Sequence, residues 1–229
     1  QAFETAGTFD KIMPETNTFT VTESEVDKAI TVKVSYTDGY GATEELTSSA
    51  TEAIASSDLA ITTTITDRFG NALNSAEAHA YEDSVNEITA TLTTDNVTIF
   101  DTASGSDVLI DAAMEIDTAS DNAIGAFDAL QALRLAVGLD KSDGTSEWHD
   151  YIAADINKDG RVGADDALNI LKFAVGLTDG PSADWVFVDG DADYSEVDRK
   201  NTDYDEGILI NDVMTDLSIN MTGILVGDV

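Results

Sequence analysis

The sequence predicts a mainly β fold, an antiparallel β-sandwich that carries an inserted pair of calcium-loop helices. Runs rich in Thr and Val alternate polar and apolar residues over 29–37, 60–66 and 87–100, which is typical of half-buried strands. Near residue 114 the apolar period lengthens to about 3.6 residues, which indicates helices. Beyond Gly180 and Pro181 the strand pattern returns, so the helices interrupt the β region.

The strands are separated by turn sequences such as TDGYG and DRFGN, and this favours antiparallel neighbours. The predicted strands lie at 18–22, 29–37, 60–66, 87–100, 184–191, 207–211 and 221–229.

Two short helices are predicted, each with one apolar face and each followed by a glycine, Gly138 or Gly176, that suits a helix C-terminus. The apolar faces consist of Ala129, Leu130, Leu133, Ala136 and Val137, and of Ala167, Leu168, Leu171, Ala174 and Val175.

The 229 residues suffice for one large or two small domains. Residues 1–55 are predicted to form a β segment, which is either an independent module or a source of strands for the rest of the chain. Residues 56–229 are predicted to form the sandwich, with the helical insertion at 115–180.

The strong negative charge of the chain restricts the kinds of partner that it can bind. The chain has 45 acidic and 11 basic residues and a formal net charge of −34, which disfavours nucleic acid and anionic membrane surfaces. It has no cysteine, and no apolar run approaches the roughly 18 residues of a membrane span. We expect a monomeric module within a longer chain, with calcium as its counter-charge.

The helical segments are copies of each other, since Asp155 lies 38 residues after Asp117 and about half of the aligned positions are identical. In the second copy, acidic or amide side chains occupy loop positions 1, 3, 5 and 12, and Gly160 occupies position 6, which is a calcium-loop pattern. The predicted calcium ligands are Asp155, Asn157, Asp159, the carbonyl of Arg161, and Asp166.

The first copy departs from this pattern at position 3, where Ala119 provides no oxygen. A calcium ion there would lack one protein ligand. Water, a neighbouring loop or the carboxylate of a partner could supply that ligand, or the site could bind no ion. The candidate ligands are Asp117, Asp121, the carbonyl of Ala123, and Asp128.

A third acidic loop, DGDADYSEVD, alternates Asp189, Asp191 and Asp193, which makes these residues further candidate metal ligands. Tyr194 and Tyr204 lie in or near it and are candidates for exposed contacts with a ligand, although ordinary surface tyrosines have the same pattern.

Enzymatic activity is not expected. The two histidines, His79 and His149, are distant in sequence and belong to no triad or zinc motif, and His149 is expected on a helix surface. No pair among the many carboxylates is singled out as glycosidase-like.

The paired loops and helices at about 115–180 resemble dockerin modules, which contain two calcium-loop-plus-helix segments related by pseudo-two-fold symmetry. Dockerins bind cohesins to build extracellular assemblies. Here, however, the pair lies between strand segments.

Upstream, TNTFTVTESEVDKAITVKVSYTDGYGATEELTSSAT (16–51) resembles the closing half of the Ig-like or cadherin-like repeats of RTX adhesins, giant surface proteins exported by type I secretion. DWVFVDGD, followed later by TGILVGDV, is similar to segments that accompany dockerin-like pairs in large secreted proteins. Together these features resemble the peptide-binding domain of a large RTX adhesin.

The resemblance implies an extracellular, cell-surface-attached module of cell adhesion and biofilms that captures a peptide or protein on another cell. A terminal carboxylate of the ligand would complete the calcium coordination that Ala119 leaves open. The predicted ligand-binding residues are Asp117, Asp121, Asp128, Tyr194 and Tyr204. The alternatives are a calcium-rigidified spacer of a giant surface protein and a dockerin-type partner of a cohesin.

Overall fold

A computed structural model describes residues 2–5, 9–12, 19–21, 25–26, 28–54, 58–92, 97–117, 123–177 and 179–229. The chain divides into two compact units, Gln1–Asp58 and Leu59–Val229. None of the helices in these described ranges is both long enough and apolar enough to cross a bilayer.

The described strands of the first unit are β1 (Ala2–Thr5), β2 (Phe9–Ile12), β3 (Ile30–Thr37) and β4 (Thr43–Thr47). They form a four-stranded sheet in the order β2-β1-β3-β4, with antiparallel neighbours. The carboxylate of Asp38 closes the β3–β4 turn by accepting hydrogen bonds from the backbone N–H groups of Tyr40, at 2.8 Å, and Ala42, at 2.9 Å. The strand predicted at 18–22 is not observed over 19–21, and its two ends lie outside the described residues.

The described part of the second unit contains two sheets and a helical segment. The strands are β5 (Leu59–Asp67), β6 (Glu77–Glu82), β7 (Asn86–Ile88), β8 (Ala90–Leu92), β9 (Thr98–Thr102), β10 (Val108–Ala113), β11 (Asp184–Asp189), β12 (Ile208–Ile210) and β13 (Leu217–Val226). The helices, which lie between β10 and β11 in the chain, are α1 (Ala126–Ala136), α2 (Trp148–Ala154) and α3 (Ala164–Ala174). The four-stranded sheet has the order β12-β10-β6-β7, and the five-stranded sheet has the order β11-β13-β5-β9-β8.

The predicted β-rich class is confirmed, but the expectation of purely antiparallel pairing is wrong. β13 pairs with β5 in parallel, with Leu217 opposite Ile61 and Gly223 opposite Asp67. Turn sequences predict the direction of strands that follow one another in the chain, and they carry no information on strands joined by a long crossover.

The expected number of helices is also wrong, because α2 lies between the two repeats. It is only seven residues long, and it belongs to neither of the duplicated segments whose helical period predicted the other two helices. His149, expected on a helix surface, is half-buried on α2, and burial is the main cause that lowers its pKa.

The second unit has three layers, the helices, the five-stranded sheet and the four-stranded sheet, which pack against one another through two apolar clusters. Phe100 and Met221 of the five-stranded sheet pack with Val108 and Ile110 of the four-stranded sheet. On the other side of the five-stranded sheet, strand residues such as Val186 pack with all three helices. Alternation along β11 makes this possible, because neighbouring residues of a strand point to opposite faces. The helices therefore cover one face of the five-stranded sheet, and the second sheet covers the other.

Gly207, just before β12, is a position that only glycine fits. Its φ of +74° lies in the left-handed region, and an added Cβ would lie 2.7 Å from the carbonyl oxygen of Ile110. We expect Gly207→Ala to lower the free energy of unfolding by about 2–4 kcal/mol, because backbone strain and overpacking combine. Gly70→Ala is the matched control, since Gly70 has a φ of +81° and nothing within 4 Å of an added Cβ. Urea denaturation measures both variants, and equal losses would contradict the role of the Ile110 contact.

Candidate metal loops and an exposed helix pair

The second loop begins at Asp155, whose buried carboxylate is held by backbone groups of the same loop. Its Oδ1 accepts a hydrogen bond from the N–H of Asp159 at 3.1 Å, and its Oδ2 accepts one from the N–H of Gly160 at 2.9 Å. Gly160 has a φ of +88°, the left-handed conformation expected at loop position 6. Asp155 is only 4% exposed, so the loop holds a carboxylate away from solvent.

Asp166 closes the loop from the first turn of α3 and is fully buried. It accepts backbone hydrogen bonds from Gly163 at 2.8 Å and from Asn157 at 3.3 Å. Burial raises the pKa of Asp166 to about 6, the two backbone hydrogen bonds oppose this shift, and the nearby charges of Asp155 and Asp165 add to it. Among the described residues, neither Asp155 nor Asp166 forms an ion pair with a basic side chain.

The side chains in the middle of the second loop make hydrogen bonds and an ion pair with neighbouring residues of the loop. The side-chain oxygen of Asn157 accepts a hydrogen bond from the N–H of Asp159 at 2.9 Å, and its amide nitrogen donates to Asp165 at 3.2 Å. Asp159 lies 3.4 Å from the guanidinium of Arg161. No cluster of three or more acidic or histidine side chains able to hold a metal ion occurs in the described part of the chain. The donor chemistry, carboxylates with an amide and a backbone carbonyl, fits calcium.

In the first loop, Asp128 occupies a position equivalent to that of Asp166. It is buried in the first turn of α1, and its Oδ2 accepts a hydrogen bond from the N–H of Gly125 at 2.7 Å. Its Oδ1 accepts another from the N–H of Val229 at 3.1 Å. Asp117 and Ala123 are exposed. Asp121 and Ala119 lie outside the described residues, and so does the predicted open coordination position.

The third acidic loop consists of turns that use its carboxylates locally. Asp189 accepts a hydrogen bond from the N–H of Asp191, and Asp193 accepts one from the N–H of Ser195, both at 2.9 Å. The carboxylate of Asp191 accepts a hydrogen bond through Oδ2 from the side-chain amide of Asn220 on β13, at 2.9 Å. The alternating pattern at this loop therefore has a local structural explanation in turn formation.

Tyr194 and Tyr204 are half-buried, so the expectation of exposed side chains is wrong. The ring of Tyr194 stacks on Trp148 of α2, with centroids 4.0 Å apart, and its hydroxyl donates to the carbonyl of Asp189 at 2.9 Å. Burial raises the pKa of Tyr194 to about 12 and raises that of Tyr204 as well. Exposure was predicted because the residues around these tyrosines are acidic. The local sequence does not indicate that Tyr194 stacks on Trp148 of α2.

The two repeats place α1 and α3 side by side with leucines directed away from the core. The exposed fractions are 50% for Leu130, 42% for Leu133, 53% for Leu168 and 40% for Leu171. These four leucines, the helix-pair face, line a shallow groove of about 340 Å³ between the helices. The predicted apolar face of each helix contained these leucines and the buried Ala129 or Ala167, but it missed the large buried side chains, Leu135 of α1 and Ile170 of α3. The helices are apolar on two sides, and one of these sides contacts solvent.

Comparison with protein-family models, with curated proteins and with solved structures finds no match to this chain.

Proposed function

We propose that the chain is a calcium-stabilised binding module of an extracellular adhesin, in which a β-sandwich carries a dockerin-like pair of loop-helix repeats. One observation carries the proposal: the second loop buries the carboxylates of Asp155 and Asp166, and no basic side chain in the described part of the chain forms an ion pair with either of them. Buried charges require compensation, and a divalent cation supplies it where the protein has no Lys or Arg in place.

Calcium is the cation that the donor set favours. Carboxylates, the Asn157 amide oxygen and the Arg161 carbonyl are hard oxygen donors, and the loop contains no histidine or thiol. The loop connects α2 to α3, so an ion bound to both Asp155 and Asp166 would fix the position of one helix relative to the other. Calcium would in this way stabilise the helical layer.

The ligand we propose is a peptide whose terminal carboxylate binds through a calcium ion at the first loop. The net charge of −34 supports a cation bridge, because an anionic ligand would otherwise be repelled. Asp117, Asp121 and Asp128 would hold this ion.

The exposed leucines favour a second candidate, a dockerin-type contact in which a protein partner covers the helix-pair face. Several large apolar side chains, related by the repeat and grouped on one surface, are typical of an interaction site. This contact would depend on the leucine side chains and not on the carboxylates of the first loop, so the two candidates can be separated by mutation.

Calorimetry with short peptides, each made with a free and with an amidated C-terminus, tests the proposal. We expect the full chain to bind only the free-carboxylate form, in calcium and not in chelator. Asp128→Asn should abolish this binding, and Leu133→Lys should leave it unchanged. If no peptide binds while calcium still stabilises the fold, the peptide ligand is wrong, and the spacer or the helix-pair partner becomes the better explanation.

A further inference from the structure

A segment outside both repeats is attached to the second loop. The N–H of Val162 donates to the carbonyl of Arg199 at 2.9 Å, and the N–H of Thr202 donates to the carbonyl of Gly160 at 3.0 Å. Residues 199–202, the clasp, therefore lie along the loop positions that follow the glycine. The guanidinium of Arg199 also lies 3.4 Å from the carbonyl oxygen of Ala136, at the end of α1. The clasp thus contacts both repeats.

Within the clasp, Thr202 contacts Asp155, which is a predicted calcium ligand. Its side chain is buried, and its hydroxyl donates a short hydrogen bond to Oδ2 of Asp155. The same oxygen accepts from the N–H of Gly160, while Oδ1 accepts from Asp159. Within the described ranges, three donors therefore fix both oxygens of the carboxylate at loop position 1, and of these Thr202 alone comes from outside the loop.

We propose that Thr202 is a positioning residue for calcium binding, which orients the Asp155 carboxylate before the ion arrives. This inference rests on the proposed calcium site. A partner that holds a metal-binding side chain in one orientation typically contributes 10- to 100-fold to metal affinity. The hydrogen bond also joins a neutral donor to a charged acceptor, which makes it stronger than a bond between two neutral groups.

The test is the calcium dissociation constant of the full chain, measured by calorimetry for the wild type, Thr202→Val and Thr202→Ser. We expect Thr202→Val to weaken calcium binding by about 10- to 100-fold, because it keeps the shape of threonine and loses the hydroxyl. Thr202→Ser should restore the affinity, because serine keeps the donor. Urea unfolding in chelator shows that each variant folds.

Thr102→Val is the matched control. Thr102 is equally buried, and its hydroxyl donates to the carboxylate of Glu82 at 2.6 Å, in a strand outside the repeats. We expect this variant to keep the wild-type calcium affinity. Equal weakening by both valine variants, or unchanged affinity in Thr202→Val, would overturn the positioning role while leaving the calcium site in place. A wild type that binds no calcium would overturn the site itself.

Discussion

Calcium bound at the second loop should stabilise the wild-type chain by about 2.7 kcal/mol at a concentration 100 times the dissociation constant of that site, and Asp166→Asn should remove this contribution. Asp166 is fully buried at the end of the second loop, and its substitution removes one of the two buried charges that an ion would neutralise. The free energy of unfolding of each variant is measured by urea denaturation in calcium and in chelator. The comparison uses the difference between the two conditions, so changes in basal stability cancel.

Asp179→Asn is the control for this effect. Asp179 is an exposed acidic residue beyond the end of α3, and its carboxylate lies 3.4 Å from the ammonium of Lys172 in the last turn of that helix. The variant makes the same change in charge at the opposite end of α3 from the loop, and we expect it to retain the calcium-induced stabilisation. The proposed site would be refuted by a wild type whose stability is the same in calcium and in chelator.

The second large predicted effect is a difference in stability between variants on the two apolar sides of α1. Leu135 is 1% exposed, and its replacement by alanine should lower the free energy of unfolding by about 2–5 kcal/mol, because it leaves a cavity among the helices and the sheet. Leu133 is 42% exposed, and its replacement by alanine should change stability by no more than about 0.5 kcal/mol. Urea denaturation at saturating calcium measures both variants.

This pair of variants tests whether the helix-pair face is uncovered in solution. If Leu133→Ala destabilises the protein as strongly as Leu135→Ala, a partner surface already covers the leucines. In that case a dependence of the unfolding midpoint on protein concentration would identify the partner as a second copy of the chain.

Features with a local origin could be predicted from the sequence. The duplication at 117–139 and 155–177 predicted α1 and α3, because loop, helix period and terminal glycine recur together. Alternation predicted β3 and β5 in the same way. The bonds from the loop backbone to Asp155 also follow from local spacing, since they join residues four and five positions apart.

The remaining features depend on contacts between distant residues. Thr202 is 47 residues from Asp155, and nothing in its immediate sequence marks it as a partner of the loop. Stacking of Tyr194 on Trp148 depends on how α2 packs, and α2 itself was too short to predict. A pattern along the chain also identifies an apolar helix face without showing whether that face is covered.

The parallel pairing of β5 with β13 determines when the second unit can complete its fold. Thr64 and Asn220 are neighbours in this pair, although they are 156 residues apart in the chain. Closing so long a loop is entropically unfavourable until other contacts form, whereas the two loop-helix repeats involve short separations. During synthesis the repeats can therefore acquire structure first, whereas the five-stranded sheet cannot be completed until β13, the strand between β11 and β5, is available. We expect the nascent chain to expose an unpaired edge of β5 until β13 has left the ribosome.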